Sequence, residues 1–167
     1  MAHWLLFTCG YPFSGKSTLS AAIGDQFDFE VVSVDAQFGA NNVETWLDAY
    51  LAAYGAIDVG LDAGRSVVFD SVGHTRKHRD RLRRKAMRFR AEPLAIWLCV
   101  SIPEADQRRQ ANAVAPVRAH VPDEGFDEIV RAFEPLQSDE AHLIYRPTET
   151  IATWIERELR PVVERQD

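Results

Sequence analysis

Four residues near the start of the chain have the types and spacing to hold phosphate: Gly10, Gly15, Lys16 and Ser17, within GYPFSGKST (10–18). Gly-x-x-x-x-Gly-Lys-Ser is the P-loop pattern. Glycine reaches backbone angles that other residues resist, so successive N–H groups can point into one concavity. A helix starting at about Lys16 adds the positive end of its dipole. Lys16 can reach the outer phosphates of a nucleoside triphosphate such as ATP, and the Ser17 hydroxyl can ligate Mg²⁺. Tyr11, Pro12, Phe13 and Ser14, with Thr18 beyond, complete the backbone cradle. The apolar run HWLLFTC (3–9) precedes it, which gives the strand-before, helix-after context that the pattern requires.

Two carboxylates stand where a phosphate acceptor would meet that cradle. Asp35 ends the run EVVSVD and Asp70 lies near the end of RSVVFDS. Ligands of an open parallel sheet sit beyond the carboxyl ends of its strands, so both belong to the P-loop edge. Asp35 could take the proton of an acceptor hydroxyl as it attacks the γ-phosphate; a plain strand-end carboxylate is the alternative. Asp70 could join the Mg²⁺ shell through water, fix the acceptor, or serve only the strand end. Downstream, RKHRDRLRRKAMRFR (76–90) holds nine of the 19 Lys and Arg. Arg76 and Arg79, near one turn apart, could bind an anionic acceptor such as a 5'-hydroxyl nucleic-acid end. Arg81, Arg84, Lys85 and Arg88 are expected to face water. The five histidines lack metal-ligand spacing, and Cys9 and Cys99 read as buried free thiols of a reducing cytoplasm.

The elements that position these groups follow from hydropathy. Strands are expected at 3–9, 30–35, 65–71, 93–100 and 141–146, nearly continuous in apolar residues, as in a parallel sheet covered on both faces. Val43, Trp46, Leu47, Tyr50, Leu51, Tyr54 and Ile57 recur at helical steps, with Asn42 as a candidate N-cap. Aromatics at that spacing usually pack in a core, with substrate stacking as the alternative. Leu82, Ala86 and Phe89 give the basic helix a narrow apolar stripe. Phe126, Ile129, Val130 and Phe133 mark a helix ending near Pro135. Ile151, Trp154, Ile155 and Leu159 mark one ending near Pro161. The stretch 110–124 has the least pattern and reads as a loop. With 167 residues and 46% hydrophobic content, a single α/β domain over 1–167 is expected. No apolar run approaches the ~20 residues of a membrane helix, and no signal peptide is expected. The net charge of −6 argues against a long nucleic-acid footprint.

Beyond the P-loop, Asp35 and the stretch VVFDSVGHTRKHRDRLRRKA, the chain resembles the small P-loop kinases related to polynucleotide 5'-kinase and zeta toxin. The stretch VSIPEADQRRQANAVAPVRAHVPDEGFDEIVRAFEPLQSDE resembles the lid region of that group, notably of its seryl-tRNA(Sec) kinase branch. The matching positions are Arg108 or Arg109, Arg118, Val121-Pro122-Asp123 and Phe133-Glu134-Pro135. The resemblance implies a three-layer P-loop kinase fold with a five-stranded parallel sheet and a lid over about 108–125. It implies that Asp35 is the general base and that Arg108, Arg109 and Arg118 lie in or beside the lid, one of the first two pointing inward. Arg146, after the fifth strand, would lie against adenine. Within these 167 residues neither the tRNA-holding region of the seryl-tRNA kinases nor a phosphatase or ligase module is expected.

The expected activity is transfer of the ATP γ-phosphate, with Mg²⁺, to a hydroxyl of a polynucleotide, aminoacyl-tRNA, nucleotide sugar or small alcohol. A nucleotide-binding switch without phosphotransfer and a zeta-type toxin kinase are the alternatives. The expected state is a monomer or homodimer in the cytoplasm, nucleic acid remaining a possible partner.

Overall fold

A computed structural model describes residues 3–38, 43–116 and 121–165. Five strands form one sheet: β1 (Trp4–Cys9), β2 (Glu30–Ser33), β3 (Val67–Asp70), β4 (Glu92–Leu98) and β5 (His142–Tyr145). Their order is β2-β3-β1-β4-β5, and every pairing is parallel. All five carboxyl ends therefore open on one edge. The chain passes from β3 to the far side of β1 to make β4, so the strand order reverses beside β1, where open α/β sheets bind ligands.

The continuous apolar runs have the expected cause. In β1, Leu5, Leu6 and Phe7 are all fully buried, because successive side chains enter opposite cores. Leu5 and Phe7 join Val67 and Phe69 of β3 beneath Ala49, Ala53, Ile57 and Leu61 of α2 (Trp46–Asp62) and Leu82 and Ala86 of α3 (Arg76–Arg88). Leu6 and Val68 meet Leu19 and Ile23 of α1 (Lys16–Phe27), and the C-terminal helical stretch, on the other face. A smaller cluster of Val100, Ala105 and Phe126 joins α4 (Ile102–Val114) to α5 (Asp123–Ala132). The result is a sheet between two helical layers, with α4 and α5 at the P-loop edge.

Several expected boundaries move. The cap of α2 is Thr45, whose Oγ1 accepts from the Asp48 N–H at 3.1 Å; Asn42 lies outside the described residues. Part of the expected loop at 110–124 is helix, since α4 runs to Val114 and α5 starts at Asp123. The last helix does not stop at Pro161. It runs as α6 (Ile151–Trp154), a π-segment (Ile155–Leu159) and α7 (Arg160–Val163). Proline has no N–H to donate to the preceding turn, and a wider π turn absorbs that mismatch. Lys85 does not face open water: it bonds Asp58 and the Tyr54 carbonyl.

Candidate active site

β1 delivers the chain directly into the P-loop. Gly10 has φ 151°, and a side chain there would meet the Leu98 carbonyl and Ser14 Oγ at 3.0 Å. Its N–H donates to the Val72 carbonyl at 3.0 Å, joining the loop to the segment after β3. Gly15, the residue before α1, has φ 100°. Phe13 lies between them at φ 64°, a left-handed conformation that costs a non-glycine residue roughly 1–2 kcal/mol. Its burial to 8% exposure offsets that cost. The first bond into α1 runs from the Leu19 N–H to the Gly15 carbonyl at 3.1 Å, so the preceding amides lie at the helix start, where anions bind. Lys16 Nζ folds over the loop, donating to the carbonyls of Gly10 at 3.2 Å and Tyr11 at 2.6 Å.

A cleft of about 410 Å³ opens beside this loop. Pro12, Phe13, Lys16 and Ser17 form its P-loop wall. Ser33, Val34 and Asp35 enter from the end of β2, Asp70 and Ser71 from the end of β3, and Trp46 and Tyr50 from α2. Glu128 and Ile129 of α5 close the outer side. Lys16, Ser17, Asp35 and Asp70 thus share one cleft, as the strand-end argument expects. Ser33 pairs with Asp70 in the sheet register, and Asp35 opens the 3₁₀ turn Asp35–Gln37 that follows β2.

Hydrogen bonds fix the segment after β3. Thr8 Oγ1 donates to the Ser71 carbonyl at 3.1 Å and accepts from the Ser71 N–H at 3.2 Å. Gly73 turns the chain at φ 56°, and a Cβ there would stand 2.7 Å from Cys9 Sγ and 2.8 Å from the Thr8 carbonyl. Burial pushes the Cys9 thiol up to about 12, outweighing Arg79 and Arg83, so it remains a packing thiol. Burial pushes the Tyr50 phenol up to about 12 as well, and Tyr54, Asp35 and Asp70 add to it.

The arginines divide into three groups. Arg108 reaches the P-loop, donating through Nη1 to the Ser14 carbonyl at 3.3 Å and the Phe13 carbonyl at 3.4 Å. Arg109 instead grips α5, pairing with Asp123 at 2.6 Å and Asp106 at 2.7 Å over the Phe126 ring. Of the two, Arg108 points inward. Arg76 and Arg79 do not reach the cleft, contrary to their expected role at an anionic acceptor. Arg76 makes a two-pronged pair with Asp139 at 2.6 and 3.1 Å. Arg79 is fully buried, its Nε and Nη2 on Glu140 at 2.8 Å and its Nη1 on the carbonyls of Gly73 and Glu134. The N-terminal turn of α3 faces the 134–140 segment, and these acids claim its charge. Arg118 lies outside the described residues. Arg146 is exposed just after β5, at the P-loop edge. Tyr11 leans away onto Phe133, 4.9 Å between rings, and Thr18 is exposed on α1.

Sequence reasoning missed Ser71, His74, Glu128 and Ile129 as cleft residues. Ser71 and His74 follow the Asp70 motif directly, which was the available signal. Trp46 was weighted toward the core, yet it is 59% exposed at the cleft, its ring edge-on to Phe38 at 4.6 Å.

A family model described as "AAA domain" matches residues 5–136, from β1 through the P-loop and both strand-end aspartates to the segment after α5. The chain belongs to this AAA-domain family. No curated protein matches it. Solved structures of kinases share its fold. The Mycobacterium tuberculosis APS kinase, in complex with AMPPNP and APS, matches with a TM-score of 0.72 at 14% identity, over 98% of this chain and 99% of the other. A Janibacter sugar kinase matches at 0.69 and 20% identity, over 94% and 92%. A Sinorhizobium meliloti gluconokinase matches at 0.66 and 18%, over 92% and 87%. The AAA-domain chain thus has a P-loop kinase fold. No helix among its described residues is long and apolar enough to cross a membrane.

Proposed function

We propose that the chain is a kinase that moves the γ-phosphate of ATP, with Mg²⁺, to the hydroxyl of a small acceptor. The observation that carries this reading is the single cleft shared by Lys16 and Ser17 with Asp35 and Asp70. The loop amides and Lys16 hold phosphate oxygens. Arg108, resting on the loop's carbonyls, supplies a cation that never titrates off. Asp35 takes the proton from the acceptor hydroxyl. The acceptor oxygen forms a bond to the γ-phosphorus, the bond from that phosphorus to the bridging oxygen breaks, and ADP leaves.

Ser17 and Asp70 offer hard oxygen donors on the cleft wall, which suit Mg²⁺ held through one or two protein oxygens. Among the described residues no cluster of three or more His, Cys, Asp or Glu could hold a metal alone, which fits an ion that arrives with the phosphates. When bound, Mg²⁺ would neutralise charge on the phosphate oxygens. The resemblance to the seryl-tRNA(Sec) kinase branch supports Arg118 and Arg109 as lid residues, and the place of Arg146 just after β5, where related kinases meet adenine, supports it as an adenine contact.

The test is transfer from γ-labelled ATP to a panel of hydroxyl acceptors, with Lys16→Ala and Asp35→Asn beside the wild type. Label should reach an acceptor and fall by about 10²–10⁴-fold in Asp35→Asn, the usual worth of a general base. Tight ATP binding without transfer to any acceptor would overturn the reading.

A further inference from the structure

We infer that the outer face of α2 docks onto the same face of a second copy of this chain, forming a two-fold dimer. The inference is independent of the phosphate chemistry of the cleft.

Leu47, Leu51 and Val59 of α2 stand 69%, 59% and 65% exposed. With Gly55 they recur every four residues, so they form one ridge along the outer side of the helix. Gly55 is the informative member. Glycine inside a helix weakens it relative to alanine, and the other helical glycines of this region have a local cause. A Cβ at Gly24 would stand 2.4 Å from Val31 Cγ2, and one at Gly60 would stand 2.8 Å from Val67 Cγ2. A Cβ at Gly55 would meet nothing within 4 Å. The chain itself gives no packing reason for this glycine, but a second copy does. Gly55 leaves a notch in the ridge, one turn from the projecting Leu51. About a two-fold axis, Leu51 enters the notch at the partner's Gly55 and receives the partner's Leu51 in return, the reciprocal contact of an isologous interface.

Charge complementarity points to a second copy as the occupant. α2 contains three Asp and no Lys or Arg, and the exposed Glu44 precedes it. The neighbouring α3 contains eight Lys or Arg and one Asp. Arg76, Arg79 and Arg83 turn onto Asp139 and Glu140, and Lys85 turns onto Asp58. Lys77, Arg81, Arg84 and Arg88 stay exposed, at steps of four, three and four that keep them on one helix face. Arg81 lies beside Tyr54 of α2, so this basic strip borders the apolar ridge. Two ridges of the four-residue kind pack at about −50°. At 1.5 Å per residue α2 is about 25 Å long, so at that angle each end swings sideways by about 10 Å. Neighbouring helices are spaced by about 8–10 Å, so one end of each α2 comes to lie over the α3 of the other copy. Both ends carry exposed acid, Glu44 and Asp48 at one and Asp62 at the other, so acid meets the basic strip twice. Two helices side by side give a footprint of about 25 Å by 20 Å. That is at the small end for stable interfaces, so dissociation in the micromolar range is expected.

Sedimentation velocity of the full chain from about 1 to about 200 μM, at about 0.05 M and about 0.5 M NaCl, tests this. A monomer–dimer equilibrium should appear, weakened about 10-fold by the higher salt. Leu51→Asp, at the centre of the ridge, should weaken it by about 100-fold. Gly55→Leu should weaken it by about 10-fold while raising the melting midpoint of the dilute monomer, because leucine favours helix. A glycine that served folding alone would move the midpoint and leave association unchanged. Reversed charges give the sharpest result. The double variants Arg84→Glu with Arg88→Glu, and Glu44→Lys with Asp62→Lys, should each lose self-association, yet the two mixed should pair at near wild-type strength. A chain that stays monomeric throughout at low salt, a dimer that Leu51→Asp leaves intact, or a mixture that fails to pair would overturn the inference. A monomer that pellets with phosphatidylserine vesicles would overturn it too, with a membrane as the occupant.

Discussion

Replacing Glu140 with Gln removes the charge that balances a fully buried arginine. Glu140 is 2% exposed. Its carboxylate accepts from Arg79 at 2.8 Å twice, from Arg83 at 2.6 Å and from the Gln137 N–H at 3.1 Å. Burial pushes this carboxyl up, but the Arg79, Gln137 and Arg83 donors outweigh it and hold the pKa at about 2, against an ordinary 4.5. At about 1.36 kcal/mol per pKa unit, that difference contributes about 3 kcal/mol at pH 7. The cost of leaving one member of a buried pair alone, about 3–5 kcal/mol, agrees. Glu140→Gln should therefore lose about 3 kcal/mol, or about 6–12 °C in melting midpoint for a domain of this size. The assay is urea unfolding followed by fluorescence from pH 7 to pH 2. Because the folded pKa is depressed, the stabilisation is complete above 4.5 and disappears as pH falls toward about 2. The wild-type and variant curves should converge across that window. A loss under about 1 kcal/mol at pH 7, or a gap that persists unchanged at pH 2, would refute the reasoning, given the magnitudes above.

Three other outcomes follow from the same geometry. Gly73→Ala should destabilise by about 2–4 kcal/mol, since its methyl group meets the Thr8 carbonyl at 2.8 Å and the backbone is left-handed there; chemical denaturation checks it. Arg108→Ala should cut phosphate transfer by about 10²-fold while moving the melting midpoint little, because its side chain is 39% exposed; kinetics and melting curves separate the two effects. His78 is held down to about 4 by burial, helped by His74, Arg81 and Arg79. Its contribution is present above the ordinary 6.5 and lost as pH falls through about 4, so His78→Phe should flatten the stability profile across that window.

The sheet was legible because a strand covered on both faces must be apolar at every position, and β1 and β4 show this in sequence. The P-loop was legible because phosphate binding needs glycines and a lysine at set intervals. One topological fact, that parallel strands share a carboxyl edge, brings Asp35 and Asp70 to the cleft beside the P-loop. What stayed hidden were the partners chosen by long-range packing. Arg79 and Glu140 lie 61 residues apart, and a basic block reads the same whether it faces water, phosphate or buried acids. Trp46 fits a core stripe by spacing, but it is the first residue of α2 and lies at the cleft rather than over the sheet. Arg108 and Arg109 are adjacent, and their division of labour depends on the angle at which α4 meets the P-loop.

Glu134 fastens the C-terminal end of α5 to the segment after β3. Its N–H donates to the His74 carbonyl at 2.7 Å, its carboxylate accepts from the Arg76 N–H at 2.5 Å, and its carbonyl accepts from Arg79 at 2.9 Å. That makes it a fulcrum and α5 a lever. At 1.5 Å per residue, Glu128 stands about 6 Å from the C-terminal end of α5 at Ala132 and Asp123 about 14 Å. A tilt of about 10° about that end would carry Glu128 through about 1 Å and the helix tip through about 2.4 Å on that rise. The Arg109 grip on Asp123 and the Val121 carbonyl acts at the tip, where leverage is greatest. That guanidinium and the buried Phe126 ring together hold the outer wall against α4.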